Sequence, residues 1–413
     1  MRRLLEVYLL EDLAGILIQE ENQALSFLYD KDYIHQNKMP ISVALPLSDV
    51  PYTGSVVRAV FSGILPDNGV RYRLAKYFGV SENNPFALLE LVGGECAGAL
   101  SFYKPGDHLS FSPKPKIVDV LDDEKLEEVL DLLKQKPLLA GTNGIRLSLA
   151  GAQDKIAVSL EGEKVALVGG GAPTTHILKT TIPIVEDSIY NEFFCMRLAA
   201  FVGIETPHVT IGWTKENPYL LVERYDRQKG ENGTIERLHQ EDFCQALGIL
   251  PELKYEREGG PTIAKCQDLL KLFSARPAMD QKEFLDRVIF NYLIGNADAH
   301  GKNFSFLYKE NNPTLSPAYD VISTAVYPTL SFKMAMKIGG KYDPEDVCLR
   351  HWLNLVPSTE VAKRTLETQM QTMAKIMLET APVLKETLKK EGISSPIFDK
   401  IIAVIKARAQ RFK

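Results

Sequence analysis

The chain has 413 residues, too many for one ordinary core, so two or three packed units are expected. Hydrophobic residues make up 45% and charged residues 24%, the balance of a soluble globular fold. A net charge of −5 argues against a protein that grips DNA by itself, because such proteins carry basic surface.

The opening MRRLLEVYLLEDL begins like a secretory signal, with Arg2 and Arg3 before apolar residues. Glu6, Glu11 and Asp12 break the run and no small-residue cleavage site follows, so no signal is expected. Residues 1–30 are otherwise rich in strand formers, in short runs that fit a meander of hairpins. Over 51–80 the apolar residues Arg58-flanked Phe61, Ile64 and Leu65, then Leu74, Tyr77 and Phe78, recur at helical spacing around Pro66-Asp67-Asn68-Gly69. A further helix is expected at Pro85–Leu91, then a Pro- and Lys-rich linker over 104–120, then a short acidic helix near 122–135.

Residues 144–225 read mostly as strands: IRLSL, KIAVSL, KVALV, THILKT, VTIGW and YLLVERY, interrupted by one helix near 188–202. From about 240 the pattern turns helical, through DFCQALGIL, CQDLLKLFS, EFLDRVIFNYLIGN and a long run over 358–412. The expected class is α+β: a two-lobed, protein-kinase-like fold with a β-rich N-terminal subdomain and an α-helical C-terminal lobe. The expected divisions are 1–105 for the N-terminal subdomain, 106–225 for a β-rich ATP-binding lobe, and 226–413 for the helical lobe with the catalytic loop. No run of about 18 apolar residues occurs, so no membrane span is expected. The five cysteines, Cys96, Cys195, Cys244, Cys266 and Cys348, are odd in number and lack zinc-knuckle spacing, so they read as reduced thiols of a cytoplasmic protein.

The chemistry concentrates after the helix that contains Phe284, Val288, Ile289, Tyr292 and Leu293. Gly295 is a natural stop for that helix. The loop Asn296-Ala297-Asp298-Ala299-His300-Gly301-Lys302-Asn303 follows. Phosphoryl transfer needs a carboxylate to orient the attacking hydroxyl and take its proton, and oxygen ligands for Mg²⁺. Asp298 and Asn303 are five residues apart, the catalytic-Asp-to-metal-Asn spacing of protein kinases. A hairpin-like stretch with Asn311-Asn312-Pro313 as its expected turn leads to Asp320, placed as a second metal-binding Asp. His300 and Lys302 are further candidates, for shaping the loop and for neutralising the transferring phosphoryl. Taken alone, Asp298 reads as a turn cap and Asp320 as a solvated loop acid; the joint spacing favours chemistry.

On the nucleotide side, Lys179 at the end of the THILK strand is the candidate phosphate cation. Gly151, Ala152 and Gln153 lie on a loop of small residues where backbone N–H groups can approach phosphate. Glu223 and Tyr225 lie where the chain would pass between lobes, and Tyr225 could pack on adenine. The constellation therefore implies ATP and Mg²⁺ as cofactors.

SLAGAQDK, PTTHILK, LVERYDR, EDFCQALG with KYEREGGP, NADAHGKNF and SPAYDV occur together and in order. With FSGILPDNGVRYRLAKYFGVSENNPFALLELVGGECAGAL they make the chain resemble the HipA-like serine/threonine kinases, toxins of bacterial toxin–antitoxin pairs. The resemblance implies Asp298 as catalytic base, Asn303 and Asp320 on Mg²⁺, and Lys179 on the ATP phosphates under the Gly151-Ala152-Gln153 loop. It implies Glu223 and Tyr225 around adenine and Ser148 as a regulatory autophosphorylation site. It also implies a small HipB-like helix-turn-helix antitoxin, DNA contact through that partner, and a protein substrate, glutamyl-tRNA synthetase being the best known in the family. Thr180-Thr181 stands where the family often has a Pro after the Lys. Two other readings of the residues stay open: a small-molecule kinase, and a catalytically silent co-repressor scaffold.

Overall fold

The computed structural model describes residues 2–107, 116–139, 147–151, 153–183, 185–215 and 217–412. They form two compact units, one of Met1–Thr180, Gly212–Glu252 and Ser305–Pro313, the other of Thr181–Ile211, Leu253–Phe304 and Thr314–Lys413. The first is β-rich and the second α-helical, which is the α+β, two-lobed class expected from the sequence.

The first unit opens with an antiparallel sheet in the spatial order Tyr52–Thr53, Leu25–Tyr29, Asp12–Gln19, Arg3–Leu9, Leu100–Tyr103. Alternation along Arg3–Leu9 sends Leu5, Val7 and Leu9 inward. Helices Ser55–Gly63 and Pro85–Val92 pack against the sheet. Phe61 sits between Phe27 and Phe102, with ring centroids 5.3 and 5.8 Å away.

A second sheet runs Val209–Trp213, Pro218–Glu223, His176–Lys179, Lys155–Glu161, Lys164–Val168, Ile117–Val120. One continuous apolar cluster extends from Leu5 and Phe102 to Ile156, Leu178 and Leu221, so both sheets of this unit share a core. The edge strand Ile117–Val120 lies inside the stretch read as linker. Val118 and Val120 are exposed there, so the segment carries little of the apolar alternation that marks a strand. DFCQALGIL yields only one helical turn, Phe243–Ala246. Asp242 and Gln245 form a capping box at its start, but Gly248 turns left-handed (φ 65°) just beyond its end. The hairpin after residues 296–303 turns at Glu310-Asn311, both at positive φ (48° and 65°), one residue earlier than the expected Asn311-Asn312-Pro313. That is the two-residue turn matching strand twist, and it leaves Asn312 and Pro313 to start the return strand.

The second unit is built around the helix Pro277–Ile294. Its C-terminal half is buried on nearly every side, not on one face, because the helices Ile263–Phe273, Glu360–Lys390 and Ile397–Ala409 all pack on it. The 358–412 run divides at Gly392 (φ 82°) and Pro396 into two of those helices. Among the described residues none of the five cysteines is in a disulfide. Among the described residues no helix is long and apolar enough to cross a membrane.

The first unit buries one carboxylate with an unusual load. Glu241 accepts hydrogen bonds from Ser42 Oγ (2.5 Å), the Val43 N–H (2.9 Å) and Tyr308 Oη, tying the N-terminal loop to the hairpin. Burial pushes it up to about 7 in spite of these donors. An acid raised in the folded state binds its proton more tightly there than in the unfolded chain. Its contribution is therefore fully present below about pH 4.5 and is lost as pH rises through about 7. The difference in urea unfolding free energy between wild type and Glu241→Gln should accordingly fall by roughly 3 kcal/mol between pH 4.5 and 7.5. A difference independent of pH would show that Glu241 titrates as an ordinary carboxylate.

Candidate active site

The loop after helix Pro277–Ile294 is formed by a chain of local bonds. Gly295 ends the helix in a left-handed conformation (φ 73°), its N–H reaching back to Tyr292 O and Asn291 O. A Cβ at Gly295 would lie 2.5 Å from Ala325 Cβ, so only glycine fits this turn. The Asn296 side chain bonds Asn291 Oδ1 (3.0 Å) and accepts from the Asp298 N–H (3.0 Å). Thr324 Oγ1 accepts the Ala297 N–H (2.7 Å) and donates to Gly295 O (3.1 Å). The His300 N–H bonds Asp298 O (2.7 Å), and the Asn303 N–H bonds His300 O (2.9 Å). Few torsions are left free between Gly295 and Asn303.

This loop presents Asp298 half-buried, with its Oδ1 accepting a 2.5 Å hydrogen bond from Tyr255 Oη. His300 and Lys302 are both buried, so Lys302 does not face water. Tyr319 Oη donates to Lys302 O (2.7 Å), which holds the segment carrying Asp320 beside the loop. Asp320 itself is left-handed (φ 52°), a conformation that costs a non-glycine residue about 1–2 kcal/mol. Asn303 and Asp320 line one small pocket, together with Asn291, Asn296 and Arg287. The second unit thus brings together Asp298, His300, Lys302, Asn303 and Asp320. Each side chain carries an oxygen donor, and Mg²⁺ takes one or two protein ligands and leaves the rest to water and phosphate.

The first unit holds the other group. Lys179 is buried at the centre of its sheet, paired across to Leu220 on one side and Lys155 on the other. Residues paired across a strand project on the same face, so Lys155 and Lys179 set two cations side by side. Lys155 is also buried, and its Nζ would lie 2.6 Å from a Cβ built on Gly151. Gly151 has φ 110° and Gln153 Nε2 bonds Thr180 O (2.6 Å), so this turn is pinned to the end of the Lys179 strand. Ala152 lies outside the described residues. Ser148 is fully buried, its Oγ donating to Ile64 O (3.0 Å). The segment continues beside the N-terminal region through the Asp67 N–H bond to Gly151 O (3.0 Å). Glu223 is exposed, whereas Tyr225 is half-buried and donates to Gln240 Oε1.

Between Glu223 and Tyr225, Arg224 is buried and anchors the strand end. Its guanidinium meets Glu95 Oε1 at 2.9 Å and spans both oxygens of Asp226 at 2.9 and 2.8 Å. Arg227 adds Glu95 Oε1 at 2.8 Å and Asp226 Oδ2 at 3.0 Å, and Thr174 Oγ1 donates to Glu95. Burial alone would push Glu95 and Asp226 up; the two arginines override it and hold both below the usual carboxylate range. The sequence reading did not single out Glu95, Arg224, Lys155 or Tyr255. All four lie inside quoted motifs: Glu95 in the long N-terminal one, Lys155 in SLAGAQDK, Arg224 in LVERYDR and Tyr255 in KYEREGGP.

Two family models match: HipA N-terminal domain over residues 5–103, and HipA-like C-terminal domain over 147–383. The chain belongs to the HipA family. It is a HipA-like serine/threonine kinase by that membership. The chain is 44% identical over 341 residues to the putative kinase Y4mE of Sinorhizobium fredii, covering 82% of this chain and 81% of that one. It is 33% identical over 332 residues to the serine/threonine-protein kinase toxin HipA of Shewanella oneidensis, covering 77% and 74%. The structure superposes on HipA in the Shewanella oneidensis complex of HipA, HipB and operator DNA, with TM-score 0.83 and 26% identity over 99% of this chain and 96% of that one.

The HipA-family matches leave Glu95 and Arg224 in different matched regions, so their ion pair joins the two. Arg224→Ala leaves two buried carboxylates sharing one arginine and should cost about 3–5 kcal/mol in chemical denaturation. A loss under about 1 kcal/mol would mean that solvent enters and screens the cluster.

Proposed function

We propose that this HipA-family kinase transfers the γ-phosphoryl group of ATP, with Mg²⁺, to a serine of a protein substrate and to its own Ser148. The observation that carries the reading is the pocket shared by Asn303 and Asp320, on loops that also carry Asp298 five residues before Asn303. Bound Mg-ATP supplies an electrophilic phosphorus and an ADP leaving group. Asp298 orients the acceptor hydroxyl and takes its proton as the serine oxygen bonds to phosphorus. Asn303 and Asp320 supply the oxygen ligands for the metal. Lys179, with Lys155 beside it, binds the phosphates, the turn at Gly151, Ala152 and Gln153 lies over them, and Glu223 and Tyr225 frame the adenine. His300 and Lys302, both buried, keep the loop in shape, and the Lys302 charge offsets the phosphoryl charge.

Ser148 is the proposed regulatory site. Its hydroxyl is buried against Ile64 O, and a phosphate there would set nearly two negative charges beside a carbonyl oxygen. Phosphorylation would therefore expel the segment 147–151 from its place. The proposed partner is a HipB-like antitoxin that brings the kinase to DNA, supported by the Shewanella oneidensis structure that holds HipA with HipB and operator DNA. The family's glutamyl-tRNA synthetase substrate is the first acceptor to test.

The test is label transfer from γ-labelled ATP with Mg²⁺, read by mass spectrometry of the protein and of a host lysate. Wild type should label Ser148 or a lysate protein. Asp298→Ala should lose about 10²–10⁴-fold in rate, and Asp320→Asn should lose metal dependence together with activity. Label found only in an extractable small molecule would make the chain a small-molecule kinase. No transfer by a sample unphosphorylated at Ser148 would leave a scaffold.

A further inference from the structure

The loop that carries Asp298 is met by the segment that opens the KYEREGGP motif. Residues 254–258 run alongside it: the Gly301 N–H reaches Lys254 O, and the Glu256 N–H bonds Ala335 O (3.0 Å). The Glu256 carboxylate accepts the Lys337 N–H (2.6 Å), and Gly259 (φ 106°) closes the turn. These anchors fix the backbone on both sides of Tyr255. Its ring is held as well. His300 meets it edge-on at 5.2 Å, the Arg257 guanidinium lies 5.1 Å from its centroid, and the Lys254 ammonium lies 5.7 Å away. A tyrosine held at this many points is placed to aim its hydroxyl, and that hydroxyl lies 2.5 Å from Asp298 Oδ1.

We infer that Tyr255 is a positioning residue for phosphoryl transfer, fixing the Asp298 carboxylate so that Oδ2 faces the acceptor hydroxyl. The inference rests on Asp298 being the base. The phenol can only donate here. Burial, and after it the Asp298 charge, push its proton affinity far above the ordinary tyrosine range, so it stays protonated at every working pH. A donated bond to a carboxylate is charge-assisted and directional. It stops rotation about the last side-chain torsion, which is otherwise broad for Asp. Among the described residues no hydrogen bond is made to Oδ2, which leaves that oxygen to receive the proton.

The other charged or titratable groups facing the pair are Lys254, Arg257 and Glu258 on the tyrosine segment and His300 on the loop. None of them is altered when only the phenol oxygen is removed.

The experiment compares full-length wild type, Tyr255→Phe and Asp298→Ala for label transfer from γ-labelled ATP with Mg²⁺ into lysate protein, over a range of ATP concentrations. Tyr255→Phe keeps the ring against His300 and Arg257. Its kcat should fall roughly tenfold with its KM for ATP unchanged. A kcat equal to that of wild type, or a loss carried by a raised KM for ATP, overturns the inference while an inactive Asp298→Ala preserves the base. Activity retained by Asp298→Ala overturns the base itself. Should Tyr255→Phe fail to fold, 3,5-difluorotyrosine at 255 keeps the shape and donates more strongly. Its kcat should stay within about twofold of wild type, and a loss as large as that of Asp298→Ala refutes the role.

Discussion

Arg224 places one guanidinium between two buried carboxylates, Glu95 and Asp226, and Arg227 brings a second cation to the same two acids. Taking four charges out of water is expensive, and only close pairing with further hydrogen bonds repays it. Here the charges balance. Thr174, the Gly98 N–H and the carbonyls of Cys96 and Gly98 fill remaining positions. Such a cluster tolerates no displacement of its members, because any gap strands a charge. That rigidity passes along the chain. With Arg224 fixed inward, alternation sends Glu223 outward and sets where Tyr225 begins. The Thr175 carbonyl accepts the Arg224 N–H (2.9 Å), so the strand of Lys179 is referenced to the same point.

The helical unit solves the same placement problem with neutral groups. Asn191 donates to Ser323 O (2.9 Å) and accepts the Ser323 N–H (2.8 Å), while Ser323 Oγ caps Ile294 O (2.5 Å). Asn296 and Thr324 then bind the loop between them. Short polar side chains bonded to backbone give directional restraint without the desolvation cost of ions. A loop built this way can carry acids at fixed positions and still lie open to substrate. The two units thus reach precision by different routes, ionic in the sheet and amide or hydroxyl in the loop.

Much of this was legible in the sequence. The helix before the loop, its glycine stop, the three-residue set Asp298, Asn303 and Asp320, and the strand of Lys179 all leave local marks: periodicity, a breaker, a spacing. What was not legible was set by distance along the chain. Glu95 meets residues near 224, and Tyr255 meets Asp298; no local pattern encodes either pairing. The edge strand Ile117–Val120 was hidden for another reason. Its valines face outward, so the alternation that identifies half-buried strands is muted there. The helical reading of DFCQALGIL weighed its apolar content over Gly248, whose backbone conformation decided the outcome.

Asp320 carries two demands at one position. Its backbone is left-handed, which glycine, asparagine and aspartate tolerate and other residues resist. Its proposed role on the metal asks for a negative oxygen. Only aspartate meets both. Drift to asparagine would satisfy the backbone and leave the fold undisturbed while removing the charge. A lineage could therefore lose catalysis here in one conservative step and keep a well-folded protein free to persist as a binding partner. At this position, fold-based selection and activity-based selection read different alphabets, and stability alone would not reveal which members of the family still turn over.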